Sequence, residues 1–322
     1  MRHRSRLSGV ATDILISEVG LRDGLQSIDA VLPTERKKAW VAAQHAAGTR
    51  EMEVGSFVPT KLIPQLADTA EVVRHATSLP GLRVAVLVPN LHGLRDAVGN
   101  GVHKVTLPFS MSETHSIRNL RKTHAQVIEE IGRCIAYLDT LPGERRPKFE
   151  VSLSTAFGCT IEGPVPEHRV IAFAERVIEL GADEVCLSDT TGYGNPAQLR
   201  RLVRGVREAC GAERLDGVHL HNTRGQGLAN ALAAVEEGIT TLDSSLGGIG
   251  GCPWAPGASG NIVTEDLVFL LESMGLGTGI DLDALIKVRE LVQTALPGIE
   301  LFGFTPAAGL PLGYRSACEP SP

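Results

Sequence analysis

Eight short runs rich in branched aliphatic residues recur along the chain, separated by longer stretches with apolar residues at helical spacing. This alternation restricts the fold more than any other feature. The strand-like runs are Ile14–Val19, Glu51–Ser56, Arg83–Val88, His103–Leu107, Lys148–Ser154, Glu184–Ser188, Gly217–His221 and Thr240–Leu246. The amphipathic stretches between them include Thr34–Ala47, Leu66–Ala76, His115–Leu138, Pro166–Leu180, Ala197–Ala209 and Gly227–Glu237. Pro33-Thr34 opens the first helix and Gly48 closes it, while Gly181 and Gly238 end later ones. Such an order calls for a parallel sheet with right-handed crossovers. Closing it as a (β/α)₈ TIM barrel takes about 250 residues, which the 322 available accommodate. The alternative is an open doubly wound sheet, but no G-x-G-x-x-G follows the first strand. The expected division is a flexible N-terminal tail over residues 1–13, one barrel domain over 14–297 and a Gly/Pro-rich tail over 298–322. Leu267–Leu296 adds C-terminal helices to the barrel.

Charge and cysteine content narrow the class. The chain has 31 Lys+Arg against 37 Asp+Glu, a net charge of −6, and no basic clusters, which argues against nucleic acid as the main partner. No apolar run approaches the ~18 residues of a membrane span. The six cysteines show no C-x-x-C pair, so reduced thiols in a cytoplasmic protein are expected. The basic start, Met1–Arg6, lacks the apolar stretch of a secretory signal and reads as a frayed tail.

In such a barrel, catalytic residues collect at the C-terminal ends of the strands. The first strand ends in Glu18-Val19-Gly20-Leu21-Arg22-Asp23-Gly24-Leu25-Gln26. An isolated Arg-Asp pair is usually a surface ion pair, but the glycine-framed position at a strand end points Arg22 and Asp23 towards a site. The seventh strand ends in Val218-His219-Leu220-His221-Asn222. Residues at i and i+2 share a face, so both imidazoles project together. A shared metal ion accounts for that pair; two core histidines with separate hydrogen bonds are the other reading. A carboxylate such as Asp23 and an amide such as Asn261 would complete a mixed nitrogen and oxygen site, suited to Mg²⁺ or Mn²⁺ rather than to thiolate-bound zinc. After the eighth strand, Leu246–Asn261 is dense in glycine, which implies close ligand approach or a loop that moves. Cys252 lies in its middle as a candidate proton donor or acceptor.

The segments Ser17–Gln26, Gly55–Pro59, Val88–Leu91, Ser188–Gly194, His219–Asn230 and Gly250–Leu267 resemble 3-hydroxy-3-methylglutaryl-CoA lyase. That family belongs to a metal-dependent superfamily of (β/α)₈ lyases and Claisen-type synthases, and the resemblance covers about residues 14–295. It implies a divalent cation, Mg²⁺ or Mn²⁺, held by Asp23, His219, His221 and Asn261. Arg22 would polarise the thioester carbonyl and stabilise the enolate, and Cys252 would transfer a proton on the flexible glycine loop. Glu53 aligns with an active-site glutamate and Asp189 with an aspartate near the metal and the substrate hydroxyl, with Glu18 and Gln26 behind them. The implied reaction is retro-Claisen cleavage of an acyl-CoA, nominally 3-hydroxy-3-methylglutaryl-CoA to acetyl-CoA and acetoacetate. A cytoplasmic homodimer is the implied assembly.

Several positions depart from the family pattern. Ser152 stands in place of a tyrosine, Asn222 in place of an aspartate, and Pro108–His115 differs from the usual small-residue, phenylalanine-containing run after strand four. These changes leave the metal ligands intact but alter the cavity beside them. Citramalyl-CoA or a bulkier 3-hydroxyglutaryl-CoA therefore compete as substrates. A Claisen synthase using acetyl-CoA and a 2-oxo acid is disfavoured by the Gly-Gly-Cys-Pro loop and the lack of a second regulatory domain after the barrel.

Overall fold

A computed structural model describes residues 5–7, 10–250 and 260–317. Its centre is a closed barrel of eight parallel strands. After a hairpin of β1 (Ser5–Leu7) and β2 (Val10–Thr12), the barrel strands run in chain order: β3 (Leu15–Glu18), β4 (Glu51–Ser56), β5 (Arg83–Leu87), β6 (Lys104–Ser110), β7 (Lys148–Ser154), β8 (Glu184–Asp189), β9 (Gly217–Leu220) and β10 (Thr241–Ser244). Each pairs with the next, and β10 returns to β3. The expected (β/α)₈ TIM barrel is therefore present. Its outer ring contains α1 (Thr34–Ala46), α2 (Thr69–Thr77), α3 (Leu91–Gly99), α4 (Glu113–Leu120), α5 (His124–Leu138), α6 (Glu167–Glu179), α7 (Pro196–Cys210) and α8 (Gly227–Glu236). Beyond the last strand come α9 (Thr264–Ser273), α10 (Leu282–Ala295), which packs on α1, and the short α11 (Phe304–Ala308).

Two helical features differ from the sequence expectation. The stretch His115–Leu138 is two helices, because Arg121 adopts a left-handed conformation (φ 56°, ψ 33°) and Thr123 starts a new helix. Thr123 and Gln126 form a reciprocal capping box there, each side chain accepting from the other's backbone N–H. In the region expected to be a tail, Asp266 accepts from the amides of Phe304 and Thr305 at the start of α11. Arg289 holds the carbonyls of Leu301 and Phe302, so this segment is docked against α9 and α10. The predicted helix stop at Gly48 has a local cause. Its φ is +111°, and a Cβ there would lie 2.2 Å from the Gly279 carbonyl oxygen.

Period-two alternation divides the barrel strands chemically. Ile16, Met52, Val84, Val105, Leu107, Phe149, Val151, Val185, Leu187 and Leu242 belong to the apolar core. The alternate residues are largely polar, and Ser17, Glu53, Thr106, Ser152, Ser188 and Asp243 line a cavity. An ionic cluster lies deeper. Lys104 Nζ is 2.7 Å from Glu150, 3.5 Å from Glu184 and 3.6 Å from Glu51, while Arg83 and Lys148 pair with Glu51 and Glu184. Burial pushes Glu150 up to about 7, reinforced by Glu184 and opposed by Lys104.

This shift gives stability a defined pH dependence. Because the folded-state value exceeds the unfolded one of 4.5, the fold binds a proton that the unfolded chain releases as pH rises from 4.5 towards 7. The resulting stabilisation is fully present below 4.5 and is lost as pH rises through 7. Glu150→Gln removes this dependence. Urea unfolding should therefore show the variant gaining on the wild type as pH rises from 4.5 to 8. A pH-independent difference would contradict the assignment.

Candidate metal centre and active-site cavity

The site begins where β3 ends. The carbonyl of Val19 accepts from the amides of Arg22, Asp23 and Gly24, winding Gly20–Gly24 into a single π-helical turn. Glu18 secures that turn. One oxygen accepts from the amides of Gly20 and Leu246, the other from Gln44 Nε2 and Thr264 Oγ1. One buried carboxylate thus ties β3 to α1, to the chain after β10 and to the start of α9. Glu18 supports the backbone and lines no part of the cavity.

The turn buries Arg22 and Asp23 together. Arg22 Nη1 donates to Asp23 Oδ1 at 2.6 Å, and its Nε donates to Glu53 on β4. Gln26 Nε2 adds a 3.0 Å bond to Asp23 Oδ1. Burial alone would raise the Asp23 carboxyl. The Arg22 guanidinium, helped by His219 and His221, outweighs burial and holds it well below the usual carboxylate range. At Glu53 burial wins over Arg22, and its carboxyl is raised.

His219 and His221 do project together, as the i, i+2 spacing requires. Their Nε2 atoms face one another at 3.0 Å, and lie 3.9 and 3.7 Å from Asp23 Oδ2. Asp23, His219 and His221 offer three ligand atoms within 4.8 Å of one another. Asn261 joins them because residues after the glycine loop run back between β9 and β10. His221 and Asn261 form an antiparallel bridge, Ile262 N donates to Leu220 O, and Ser245 N donates to Ile262 O. Asn261 Nδ2 donates to Asp23 Oδ2 at 2.7 Å, while its buried Oδ1 has no hydrogen-bond partner among the described residues. Two facing imidazole nitrogens, an ionised carboxylate and an unpartnered amide oxygen form a donor set that fits a divalent cation of the Mg²⁺ or Mn²⁺ type.

One functional neighbour is absent from the sequence reading. Asp243 pairs in register with His219 across β9 and β10, and its Oδ2 lies 3.1 Å from His219 Nδ1. A carboxylate on Nδ1 fixes the proton there and leaves Nε2 as the ligand atom. No local signal marks it, since only the register of β9 against β10 places Asp243 beside His219. Asp189 is brought to the end of β8, but its two oxygens accept from the amides of Tyr193 and Gly194 and brace the following loop. Cys252 falls in 251–259, outside the described residues.

Arg22, Asp23, Glu53, His219, His221 and Asp243 all line one cavity of about 600 Å³ at the C-terminal mouth of the barrel. Ser152 also lines it, hydrogen-bonded to Ser188 at 2.7 Å, where a larger side chain would fill the space.

The HMGL-like family model matches residues 13–292. The cytoplasmic 3-hydroxy-3-methylglutaryl-CoA lyase of Rattus norvegicus is 37% identical over 294 residues, covering 91% of this chain and 84% of the relative. A Pseudomonas aeruginosa lyase, named for 3-hydroxy-3-isohexenylglutaryl-CoA and hydroxymethylglutaryl-CoA, is 37% identical over 285 residues, 88% of this chain and 93% of its own. Among solved structures, an HMG-CoA lyase from Acinetobacter baumannii in complex with coenzyme A and 3-methylmalate superposes with a TM-score of 0.87 at 38% identity. It covers 96% of this chain and 98% of its own.

The role of Asp243 is testable by metal affinity. Asp243→Asn should weaken Mn²⁺ binding about 10–100-fold, read by the free-Mn²⁺ signal in electron paramagnetic resonance. Unchanged affinity would show that His219 needs no carboxylate behind it.

Proposed function

The chain belongs to the HMGL-like family of lyases, and on that premise we propose that it performs the metal-dependent retro-Claisen cleavage of a 3-hydroxyacyl-CoA, nominally 3-hydroxy-3-methylglutaryl-CoA to acetyl-CoA and acetoacetate. The observation that carries this reading is the junction of Arg22 with the Asp23, His219 and His221 cluster in one buried cavity. Asp23, His219, His221 and Asn261 are the residues to hold Mg²⁺ or Mn²⁺. When bound, such a cation supplies Lewis acidity to the substrate's tertiary hydroxyl and the oxygen beside it, lowering the hydroxyl pKa.

The protein's own residues handle the other end of the breaking bond. As the hydroxyl passes its proton to a general base in the cavity, C3 becomes a ketone, the C2–C3 bond breaks and its electron pair moves into the thioester as an enolate. Arg22 spends Nε on Glu53 and one Nη1 proton on Asp23, while Nη2 has no partner among the described residues. That free edge of the guanidinium is suited to the thioester oxygen, where negative charge develops. Glu53 and Asp23 hold Arg22 from two sides and keep it from rotating away. Cys252 is the group we assign to protonate the enolate carbon. Asp189 is assigned to the substrate-hydroxyl side through the loop it braces.

The relatives compared above are lyases rather than condensing synthases. The Acinetobacter enzyme's complex with coenzyme A supports an acyl-CoA ligand here. The Pseudomonas relative's name and the small Ser152 support room for a larger 3-substituent. No helix among the described residues is long and apolar enough to cross a membrane. We assign the cytoplasm as its compartment on the name of the rat relative, and a homodimer, with 14–297 as the catalytic unit, on the family resemblance.

Purified protein with Mg²⁺ or Mn²⁺ should release acetyl-CoA from 3-hydroxy-3-methylglutaryl-CoA, and EDTA should abolish the release. Cys252→Ala should lower kcat by about 10²–10⁴ with Mn²⁺ binding unchanged. A fully active Cys252→Ala would remove that residue from the reaction. No turnover across a panel of 3-hydroxyacyl-CoAs, with condensation of acetyl-CoA and a 2-oxo acid instead, would overturn the lyase assignment.

A further inference from the structure

The cavity wall carries a third imidazole that the reaction above does not use. His115 lies in the first turn of α4, is buried and lines the cavity together with Arg118 and Arg121. A chain of hydroxyls fixes its ring. Ser110 Oγ is 2.9 Å from His115 Nδ1 and 3.0 Å from Thr155 Oγ1, and Thr155 Oγ1 accepts from the Ser112 amide at 3.2 Å. Thr155 follows β7 at φ 57°, a left-handed conformation that is rare for a β-branched residue. Its own amide donates to Thr190 Oγ1, and that backbone turn aims its hydroxyl at Ser110.

Proton counting gives the chain one direction. The Ser112 N–H occupies one lone pair of Thr155 Oγ1. Thr155 then has a use for its proton only by donating to Ser110, and Ser110 only by donating to His115 Nδ1. Reversing the chain would put two donors on Thr155, which is fully buried, and leave its hydroxyl proton without an acceptor among the described residues. Nδ1 is therefore the acceptor and the ring proton sits on Nε2. With Nδ1 accepting from Ser110 the ring is neutral, and burial, with Glu162 opposing, lowers its pKa in the same sense. Nε2 makes no hydrogen bond to any described residue.

We propose that His115 is a specificity-determining residue, a fixed neutral N–H donor that hydrogen-bonds through Nε2 to a carbonyl oxygen of the bound acyl-CoA. A neutral donor suits an uncharged acceptor. Arg22, Arg118 and Arg121 already offer positive charge to the anionic groups of such a ligand. This inference rests on the acyl-CoA reading above. The carbonyl belongs either to the acyl group or to an amide of the pantetheine arm, and two titrations separate these sources.

The first test needs no turnover. In ¹⁵N NMR of the full chain at pH 7, the His115 ring should be neutral with its proton on Nε2, and Ser110→Ala should introduce the Nδ1–H tautomer. A wild-type ring protonated on Nδ1, or on both nitrogens, overturns the proposal. The second test compares His115→Phe with His115→Gln, whose amide keeps a donor at similar reach. His115→Phe should raise the KM for acyl-CoA about three- to tenfold with kcat within about twofold. His115→Gln should stay near the wild type. Equal weakening for free coenzyme A, read by calorimetry, locates the carbonyl on the pantetheine arm, and weakening confined to acyl-CoA locates it on the acyl group. The proposal fails if His115→Phe, folded and still binding Mn²⁺, binds both ligands as well as the wild type, or if His115→Gln loses as much as His115→Phe. Absence of wild-type cleavage would count against the lyase reading alone, since the tautomer and coenzyme A measurements do not depend on it.

Discussion

The arrangement depends on keeping one buried carboxylate, Asp23, ionised. Removing a lone carboxylate from water is costly, and the group would take up a proton unless cations or donors faced it. Here Arg22 and Gln26 serve one oxygen, Asn261 serves the other, and two imidazoles stand within 4 Å. The partners come from three separate parts of the chain. The π-helical turn after β3 and the residues following it bring Arg22 and Gln26, the end of β9 brings the histidines, and the segment returning between β9 and β10 brings Asn261. The architecture around the turn serves the same requirement, with the Val19 carbonyl accepting three amides and Glu18 gathering four donors.

A second constraint follows from the barrel interior. TIM barrels commonly fill it with branched aliphatic side chains. Here those residues face outward into the contact with the helices, and Lys104 with Glu51, Glu150 and Glu184 occupies the inside. Buried ionic clusters contribute little net stability, because desolvation offsets most of their attraction. The outer apolar layer therefore carries the fold. What the polar interior provides is a cavity floor of hydroxyls and charges beneath the metal cluster, in which substrate oxygens can find partners.

The barrel was legible because period-two strands and period-3.6 helices alternate eight times, and glycines such as Gly48, Gly181 and Gly238 sit at helix ends with positive φ. The pairing of His219 with His221 was legible for the same local reason, since i and i+2 on a strand share a face. Asp243 was not, because its role arises from register with a neighbouring strand and has no local signature. The break at Arg121 was written in the Thr123-x-x-Gln126 capping signal, but the surrounding amphipathic pattern runs through it and masks it. Glu18 illustrates a different limit. A carboxylate at a strand end looks the same in sequence whether it faces a substrate or, as here, backbone amides and buried side chains.

The proposed chemistry requires Asp23, His219, His221 and Asn261 to form a single metal centre beside Arg22. Anomalous diffraction from crystals grown with Mn²⁺ tests this directly. One strong peak is expected, bound by an Asp23 carboxylate oxygen, the Nε2 atoms of His219 and His221 and Asn261 Oδ1. A Mn²⁺ peak bound elsewhere in the cavity, or none at this cluster with the histidines keeping separate hydrogen bonds, would contradict it.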